Sequence, residues 1–325
     1  MSGPLSVEPV PGAGAPLPVR SAGMLAAGGM VLTAATYGLI VLGALVRAHG
    51  AGLACPDWPL CFGEVVPEFD LRVAFEWGHR ALAGGIALGF AGFATAVLRR
   101  PDLRRSLGRV IGVAALLLAL QIVLGALTVW ELLASWTVTS HLVTGNAFAA
   151  TLLVAVAGLR DHELRANGTP RAMPPISTGV WLPIAVAGAL LAFQMVLGGL
   201  VASRFVGLAC PEWPACLDGE WFPSFQGAVG LQVLHRTNGY ALWTALAWAA
   251  WSSRGEPGLG PRCVAAILLG TAQIAVGAAN VLWRIPVEIT GLHSALAAAL
   301  VALTVLSLRD AWLRLRRPGA TTAPA

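Results

Sequence analysis

Leu42–Cys61 reads LGALVRAHGAGLACPDWPLC, and Leu197–Cys216 reads LGGLVASRFVGLACPEWPAC. The two stretches lie 155 residues apart. Both run from an apolar block ending in a Leu-Gly motif to Gly-Leu-Ala-Cys-Pro, an acidic residue, Trp-Pro and a second cysteine. The chain of 325 residues therefore repeats a unit of about half its length. His79-Arg80 recurs as His235-Arg236, and His141 recurs as His293. Two copies that start on the same side of an apolar layer require an even number of crossings in each.

Composition supports such a layer. Apolar residues make up 57% of the chain and charged residues 11%, against about 45–50% and about 25% in a soluble domain. That gap excludes most soluble folds, and 38 glycines and 21 prolines beside it make neither a collagen nor a disordered tract. The apolar blocks predict eight spans, at 22–47, 73–98, 108–130, 136–159, 177–202, 228–251, 262–283 and 287–308. Each is near or above the ~20 residues needed to cross hydrocarbon. The blocks are rich in Ala, Leu, Val and Gly, as packed membrane helices are, and do not alternate as barrel strands do. The expected fold is all-α: a polytopic membrane protein with eight transmembrane helices in two pseudo-symmetric four-helix bundles. The halves fall at 22–160 and 177–309, around a Pro-rich linker at 161–176, with tails at 1–21 and 310–325.

The net charge is +5, and every cation is arginine. A basic balance can accompany nucleic-acid binding, but these arginines sit in tails and short loops, which is a topology signal. Fifteen of the 21, among them Arg20, Arg99, Arg100, Arg262, Arg316 and Arg317, fall on one side. By the positive-inside rule both termini and the loops from even to odd helices face the cytoplasm of a bacterial inner membrane. The acidic residues Asp57, Glu64, Glu212 and Glu220 lie opposite, with the cysteines. The first 20 residues lack a basic start followed by a cleavage site and read as a tail, not a signal peptide.

A finer repeat runs through the odd helices: IVLGAL at Ile40–Leu45, QIVLGAL at Gln121–Leu127, QMVLGGL at Gln194–Leu200 and QIAVGA at Gln273–Ala278. A glycine there lets a backbone or a flat ligand approach closely. Helix packing alone accounts for any one of them. Four copies beside four histidines point to a ligand wall.

Those histidines are His79, His141, His235 and His293, one per even helix. Each lies five to eight residues from the outer end of its span, roughly 8–12 Å deep at 1.5 Å per residue. Two neutral imidazoles facing each other across a bundle can hold a haem iron axially. Zinc usually takes a third and fourth ligand, and proton relay or a plain interhelical hydrogen bond remain open. The natural pairs are His79 with His141 and His235 with His293. His49 lies just past helix 1 and His162 in a cytoplasmic loop, outside this layer. Glu76 precedes His79 by one helical turn and shares its face, whereas the matching residue is Gln232. A buried carboxylate is costly unless paired or functional, so the glutamate half reads as reactive and the glutamine half as an electron carrier. The plainer reading pairs Glu76 with Arg80. Arg80 and Arg236 are expected to meet haem propionates or nearby acids.

Cys55 and Cys61, and again Cys210 and Cys216, are separated by five residues. An oxidising outer face and one pair per repeat favour local disulfides. Four cysteines also allow cross pairing or a zinc site. A disulfide there would brace the loop or take part in exchange. Cys263 reads as an inert small residue. Trp58 and Trp213 are interfacial anchors or covers for a haem edge.

Taken together, these residues resemble the haem A synthase family, bacterial and mitochondrial, over about residues 22–309. The resemblance implies oxidation of the C8 methyl of haem O, through an alcohol, to the formyl of haem A. It implies substrate haem O between His79 and His141, a haem b cofactor between His235 and His293, and Glu76 at the reaction site. In bacterial members that have it, the first cysteine pair is linked to activity. Implied partners are a haem O synthase as supplier, a quinol as reductant and cytochrome oxidase assembly factors, with a homo-oligomer left open and no nucleic acid. Two rivals remain. A bis-histidine di-haem quinol-linked carrier would change no porphyrin. A haem transporter would fit the duplication but leave four histidines at one depth unexplained.

Overall fold

The computed structural model describes residues 20–317 apart from Phe69. The expected N-terminal tail lies almost wholly outside them, as does the end of the C-terminal one. The described chain forms eight helices: α1 (Arg20–Ala48), α2 (Leu71–Leu98), α3 (Pro101–Trp130), α4 (Ser135–Ala166), α5 (Thr178–Ser203), α6 (Gly227–Ser252), α7 (Leu259–Leu282) and α8 (Val287–Leu315). Seven are long and apolar enough to cross a membrane. α6 has the length but carries Gln232, His235, Arg236, Thr237 and Asn238 in succession along its first half. Gln232 and Asn238 are buried against protein, which is how polar residues are tolerated at membrane depth.

The helices outrun the apolar blocks that mark them. α3 starts at Pro101 rather than 108, because proline suits the first helical turn. α4 continues to Ala166 and α8 to Leu315. Their extra turns are Arg-, Glu- and Leu-rich and keep good helix propensity outside the hydrocarbon. α2 is set at its start by Asp70, whose Oδ1 accepts the Val73 N–H at 2.8 Å.

Within the first half α1 packs on α2 and α4, and α3 packs on both of them too, so α2 and α4 stand diagonally across a square. The second half repeats this with α6 and α8 on the diagonal. The halves meet through α1 on α8, α4 on α5, and α4 on α8. Exchanging α1 with α5 and α4 with α8 maps these contacts onto themselves, so the bundles are related by a pseudo-two-fold axis. Phe90, Ile111, Phe148 and Leu152 centre one core, and Leu191, Leu242, Leu246 and Leu300 the other. The outward faces are apolar as well: Leu88, Leu116 and Leu268 are 77%, 69% and 66% exposed, a surface that fits a hydrocarbon solvent.

The end of the bundle opposite the cysteine loops is closed by ions. Asp310 Oδ2 accepts from Arg171 at 2.9 Å and Arg262 at 3.0 Å, and its Oδ1 from Arg309 at 3.0 Å. Arg309 also reaches Asp161 of α4, at 2.5 Å, and so ties the two halves together. Arg314 donates to the Pro174 carbonyl at 2.7 Å and pairs with Glu256, pinning the segment between α4 and α5.

Asp310 is 3% exposed, and breaking a buried ion pair costs about 3–5 kcal/mol. The Asp102–His162 contact involves an aspartate side chain 55% exposed, a class worth about 0–1 kcal/mol. Asp310→Asn is therefore expected to lower the melting midpoint in detergent, followed by tryptophan fluorescence, by several degrees, and Asp102→Asn to leave it nearly unchanged. Equal midpoints would remove the ion cluster as a clasp.

Candidate functional site

Cys55 is bonded to Cys61 and Cys210 to Cys216, which excludes the crossed and zinc-bound alternatives. All four are at most 1% exposed. Past each second cysteine the chain turns back: Cys61 bridges to Glu64, and Leu217 to Glu220. The central residues are Phe62 and Gly63 (φ 57° and 76°) and Asp218 and Gly219 (φ 51° and 77°). Tight hairpins of this kind need positive φ at both central positions. The acid two residues after each first cysteine holds the turn. Asp57 accepts the N–H groups of Phe62 and Gly63 at 2.6 and 2.8 Å. Glu212 accepts those of Asp218 and Gly219 at 3.1 and 3.0 Å. The Gly63 N–H foremost keeps the Asp57 carboxyl below its ordinary pKa. Its contribution is present above the unfolded pKa and fades as pH falls through the lowered folded value. Leu217 is an insertion: the N–H groups of Cys216 and Leu217 both donate to the Glu220 carbonyl, at 2.7 and 3.3 Å, forming a bulge. It shifts the repeat from 155 residues at the cysteines to 156 at His79 and His235.

Arg80 and Arg236 lie beneath these loops. Arg80 Nη1 donates to the carbonyls of Asp57 and Leu60, at 2.5 and 2.7 Å, and Nη2 to that of Cys55 at 3.1 Å. Arg236 repeats the pattern on Glu212, Ala215 and Cys210, at 2.9, 2.8 and 2.7 Å. A rigid guanidinium fork suits three carbonyls that a tight loop leaves without backbone partners. Glu76, 5% exposed, accepts from Arg80 Nη2 at 2.5 Å and from the Cys55 N–H at 2.9 Å. The Arg80 pair expected as the plainer reading is thus present, and it extends to the disulfide loop. Gln232 instead donates to the Gly207 carbonyl at 2.9 Å, and its Oε1 is buried without a partner.

The histidines lie one to two turns inside. His79 and His141, on the diagonal helices α2 and α4, have ring centroids 6.5 Å apart and planes inclined at 55°. His235 and His293 hold the equivalent positions on α6 and α8. Each ring rests on a glycine of the preceding helix. A Cβ added at Gly43, Gly125, Gly198 or Gly277 would lie 3.1, 3.2, 3.3 or 3.1 Å from Cε1 of His79, His141, His235 or His293. Any larger residue there must push the ring. The four glycines of the repeated motif are therefore ring seats, one per histidine. The Cε1–Nδ1 edge meets the seat in all four, and Nδ1 of His79, His141 and His293 is buried without a hydrogen-bond partner.

Glutamines four residues before three of the glycines reach the same histidines. Gln121 Nε2 lies 3.1 Å from His141 Nε2. Gln194 Nε2 lies 3.2 Å from His235 Nδ1 and donates to the His235 carbonyl at 3.1 Å. Gln273 donates to the His293 carbonyl at 3.0 Å. The motif contained these residues, but nothing in it gave them a task. The first copy has Leu39 in their place.

Two imidazoles at this separation suit one metal ion between them: two metal–imidazole bonds of about 2 Å plus the half-width of each ring span it. Two nitrogens underfill a zinc site but complete the axial positions of a haem. The other two histidines serve elsewhere. His49 stacks on Phe75 at 4.2 Å, and His162 lies 3.1 Å from Asp102. Trp58 meets Trp130 edge-on at 5.9 Å.

The model of the COX15-CtaA family, described as cytochrome oxidase assembly protein, matches residues 29–74 and 67–305. The haem A synthase of Shewanella oneidensis is 28% identical over 83% of this chain and 91% of its own length. That of Symbiobacterium thermophilum is 31% identical over 74% of this chain and 79% of its own. A stretch of 127 residues, 39% of the chain, is 34% identical to part of a protohaem IX farnesyltransferase of Halobacterium salinarum, covering 28% of that protein.

Peptide mapping without reduction is expected to link Cys55 to Cys61 and Cys210 to Cys216. Cys263, free and buried, is expected to alkylate only after denaturation. Free thiols in the loops of protein isolated from its membrane would contradict the pairing.

Proposed function

The chain belongs to the COX15-CtaA family of cytochrome oxidase assembly proteins and is, with its haem A synthase relatives, a membrane oxidoreductase of haem biosynthesis; from that premise we propose that it oxidises the C8 methyl of haem O, through the alcohol, to the formyl of haem A. One observation carries the reading: two like histidine positions stand in two unlike halves. Haem O lies between His79 and His141 beside Glu76, and a haem b between His235 and His293 beside Gln232. When bound, haem b supplies one-electron transfer. The protein's part is positioning. The glycine seats fix each ring, the diagonal helices set the span across the bundle, and Arg80 and Arg236 hold the disulfide loops over it. The same two arginines place positive charge at the end where haem propionates would lie. Glu76 keeps lone pairs beyond its bonds to Arg80 and Cys55. From one turn before His79, a carboxylate can steer a proton or offset positive charge developing at the porphyrin methyl.

The topology we propose puts both termini in the cytoplasm of a bacterial inner membrane and the cysteine loops outside. The disulfides support it, since they persist in oxidising compartments. The apolar tail of haem O favours entry from the lipid. A haem O synthase is the supplier that this substrate requires, in keeping with the cytochrome oxidase assembly family of the chain. Reduction by a quinol, contact with cytochrome oxidase assembly factors and self-association complete the proposal.

His235→Ala and His293→Ala are each expected to abolish the low-spin haem b spectrum of the purified protein. An unchanged spectrum in both would sink the cofactor assignment. Glu76→Gln is expected to insert normally and retain haem b, while haem A formation in cells that also make haem O falls on the order of 100-fold, with haem O or the alcohol accumulating. Chromatography of extracted haems measures this, and normal haem A from well-expressed Glu76→Gln protein would leave Glu76 a partner of Arg80 and the loop alone.

A further inference from the structure

Between the histidine layer and the ion cluster, the two halves fill their cores differently. In the first half Leu32, Phe90, Phe93, Val97, Ile111 and Leu152 belong to one packed apolar core. Helix by helix, the repeat puts Ala187, Leu246, Ala249, Ser253, Cys263 and Thr304 at the matching positions of the second half. Every one of the six is smaller, and three bring a hydroxyl or a thiol. Ser307 adds a further hydroxyl in place of Ala155. The exchange leaves a void lined by Cys263, Thr304 and Ser307 and by apolar residues that include Ile184, Leu246 and Ala249. It offers the centre of a water-sized sphere about 10 Å³, room for one water molecule. Its lining residues are at most 3% exposed.

Thr304 shows what the void needs. Thr33, Thr36, Ser253 and Ser307, buried like it, each donate to the carbonyl four residues back, at 2.6–2.8 Å. Thr304 Oγ1 has no partner, and among the described residues it is the one serine or threonine hydroxyl buried in that state. Such a group is costly in a dry core. Two further polar atoms stand at the same void. The Ser307 hydroxyl hydrogen goes to the Leu303 carbonyl, which leaves its oxygen free to accept. The Cys263 thiol lies within hydrogen-bonding reach of Ser253 and Ser307.

We propose that this void is a binding site for one internal water molecule, with Thr304, Ser307 and Cys263 as its partners. Thr304 donates to the water, and the water donates to Ser307 Oγ and to the Cys263 sulfur. Three partners are what a buried water typically has. The site is apart from both histidine pairs, three turns past His293 on α8, roughly 16 Å along the axis. It lies instead just inside the ion cluster: Ser307 is one turn before Asp310, and Cys263 follows Arg262, which binds Asp310. Polar contacts in the second half thus reach one turn farther into the bundle than in the first, where Phe90, Phe93 and Leu152 keep the same layer dry.

Two measurements on the purified full-length protein test this. An electron-microscopy map that shows ordered water around the ion cluster is expected to show one peak within about 3 Å of Thr304 Oγ1. An empty void in such a map would overturn the proposal. Thr304→Val keeps the shape and removes the hydroxyl. If the site holds water, the substitution breaks its bonds, and the melting midpoint in detergent is expected to fall by about 2–4 °C. In a dry void the same change would only remove an unsatisfied group, so an unchanged or raised midpoint would also overturn the proposal. If Thr304→Val does not assemble, the wild-type map decides alone.

Discussion

An imidazole carried inside an apolar helix bundle needs a surface that admits a flat ring without a gap, and in this chain that surface is a bare glycine backbone. At Gly43, Gly125, Gly198 and Gly277 a single added carbon would come within 3.1–3.3 Å of a histidine ring. The contact can form only if each even helix lies directly against the odd helix before it, with one register. The pairs α1–α2, α3–α4, α5–α6 and α7–α8 satisfy it. Closing two such pairs into a square puts the histidine helices on the diagonal, and His79 then faces His141 across the core. The cysteine loops serve the same constraint from outside, because Arg80 and Arg236 bind loop carbonyls from the position next to a seated histidine.

The scaffold is symmetric to a degree that makes its departures informative. Glu76 stands against Gln232, Leu39 against Gln194, and Leu217 has no counterpart in the first loop. Glu76 and Leu39 both fall in the first half, Glu76 one turn before His79 on its own helix and Leu39 one turn before the glycine that seats it. On the function we propose, duplication supplies two equivalent places for a haem, and a few side chains give the two places different work. A buried carboxylate in one half only is expensive, and its bonds to Arg80 and the Cys55 N–H are what make it tolerable.

Much of this was legible in the sequence because duplication prints it twice. The helix count, the two halves, the cysteine pairs and the common depth of four histidines followed from the repeat and from apolar run length. The four glycines were legible as a set, but not their one-to-one match with the histidines, because a repeat does not say which helices touch. For the same reason the glutamines of the motif had no visible task. Arg80 meets a nearby acid, Glu76, as expected, but the loop carbonyls that Arg80 and Arg236 both bind were not foreseen, because the fold of a disulfide loop decides which carbonyls need donors. Helix ends were missed by a turn or two at Pro101, Ala166 and Leu315, since run length measures hydrocarbon and not helix. The Asp161–Arg309–Asp310 cluster joins residues far apart in sequence, and no local pattern announces it.

The central claim is that two similar bundles hold two haems with different fates. Pigment analysis of the wild-type protein, purified from cells that also make haem O, tests it most directly: iron and haem per chain, the low-spin signal, and the identity of each extracted haem by chromatography and mass. The account predicts haem b together with haem O, its C8 alcohol or haem A. Two equivalents of haem b with no modified porphyrin, or protein without haem under those conditions, would contradict it.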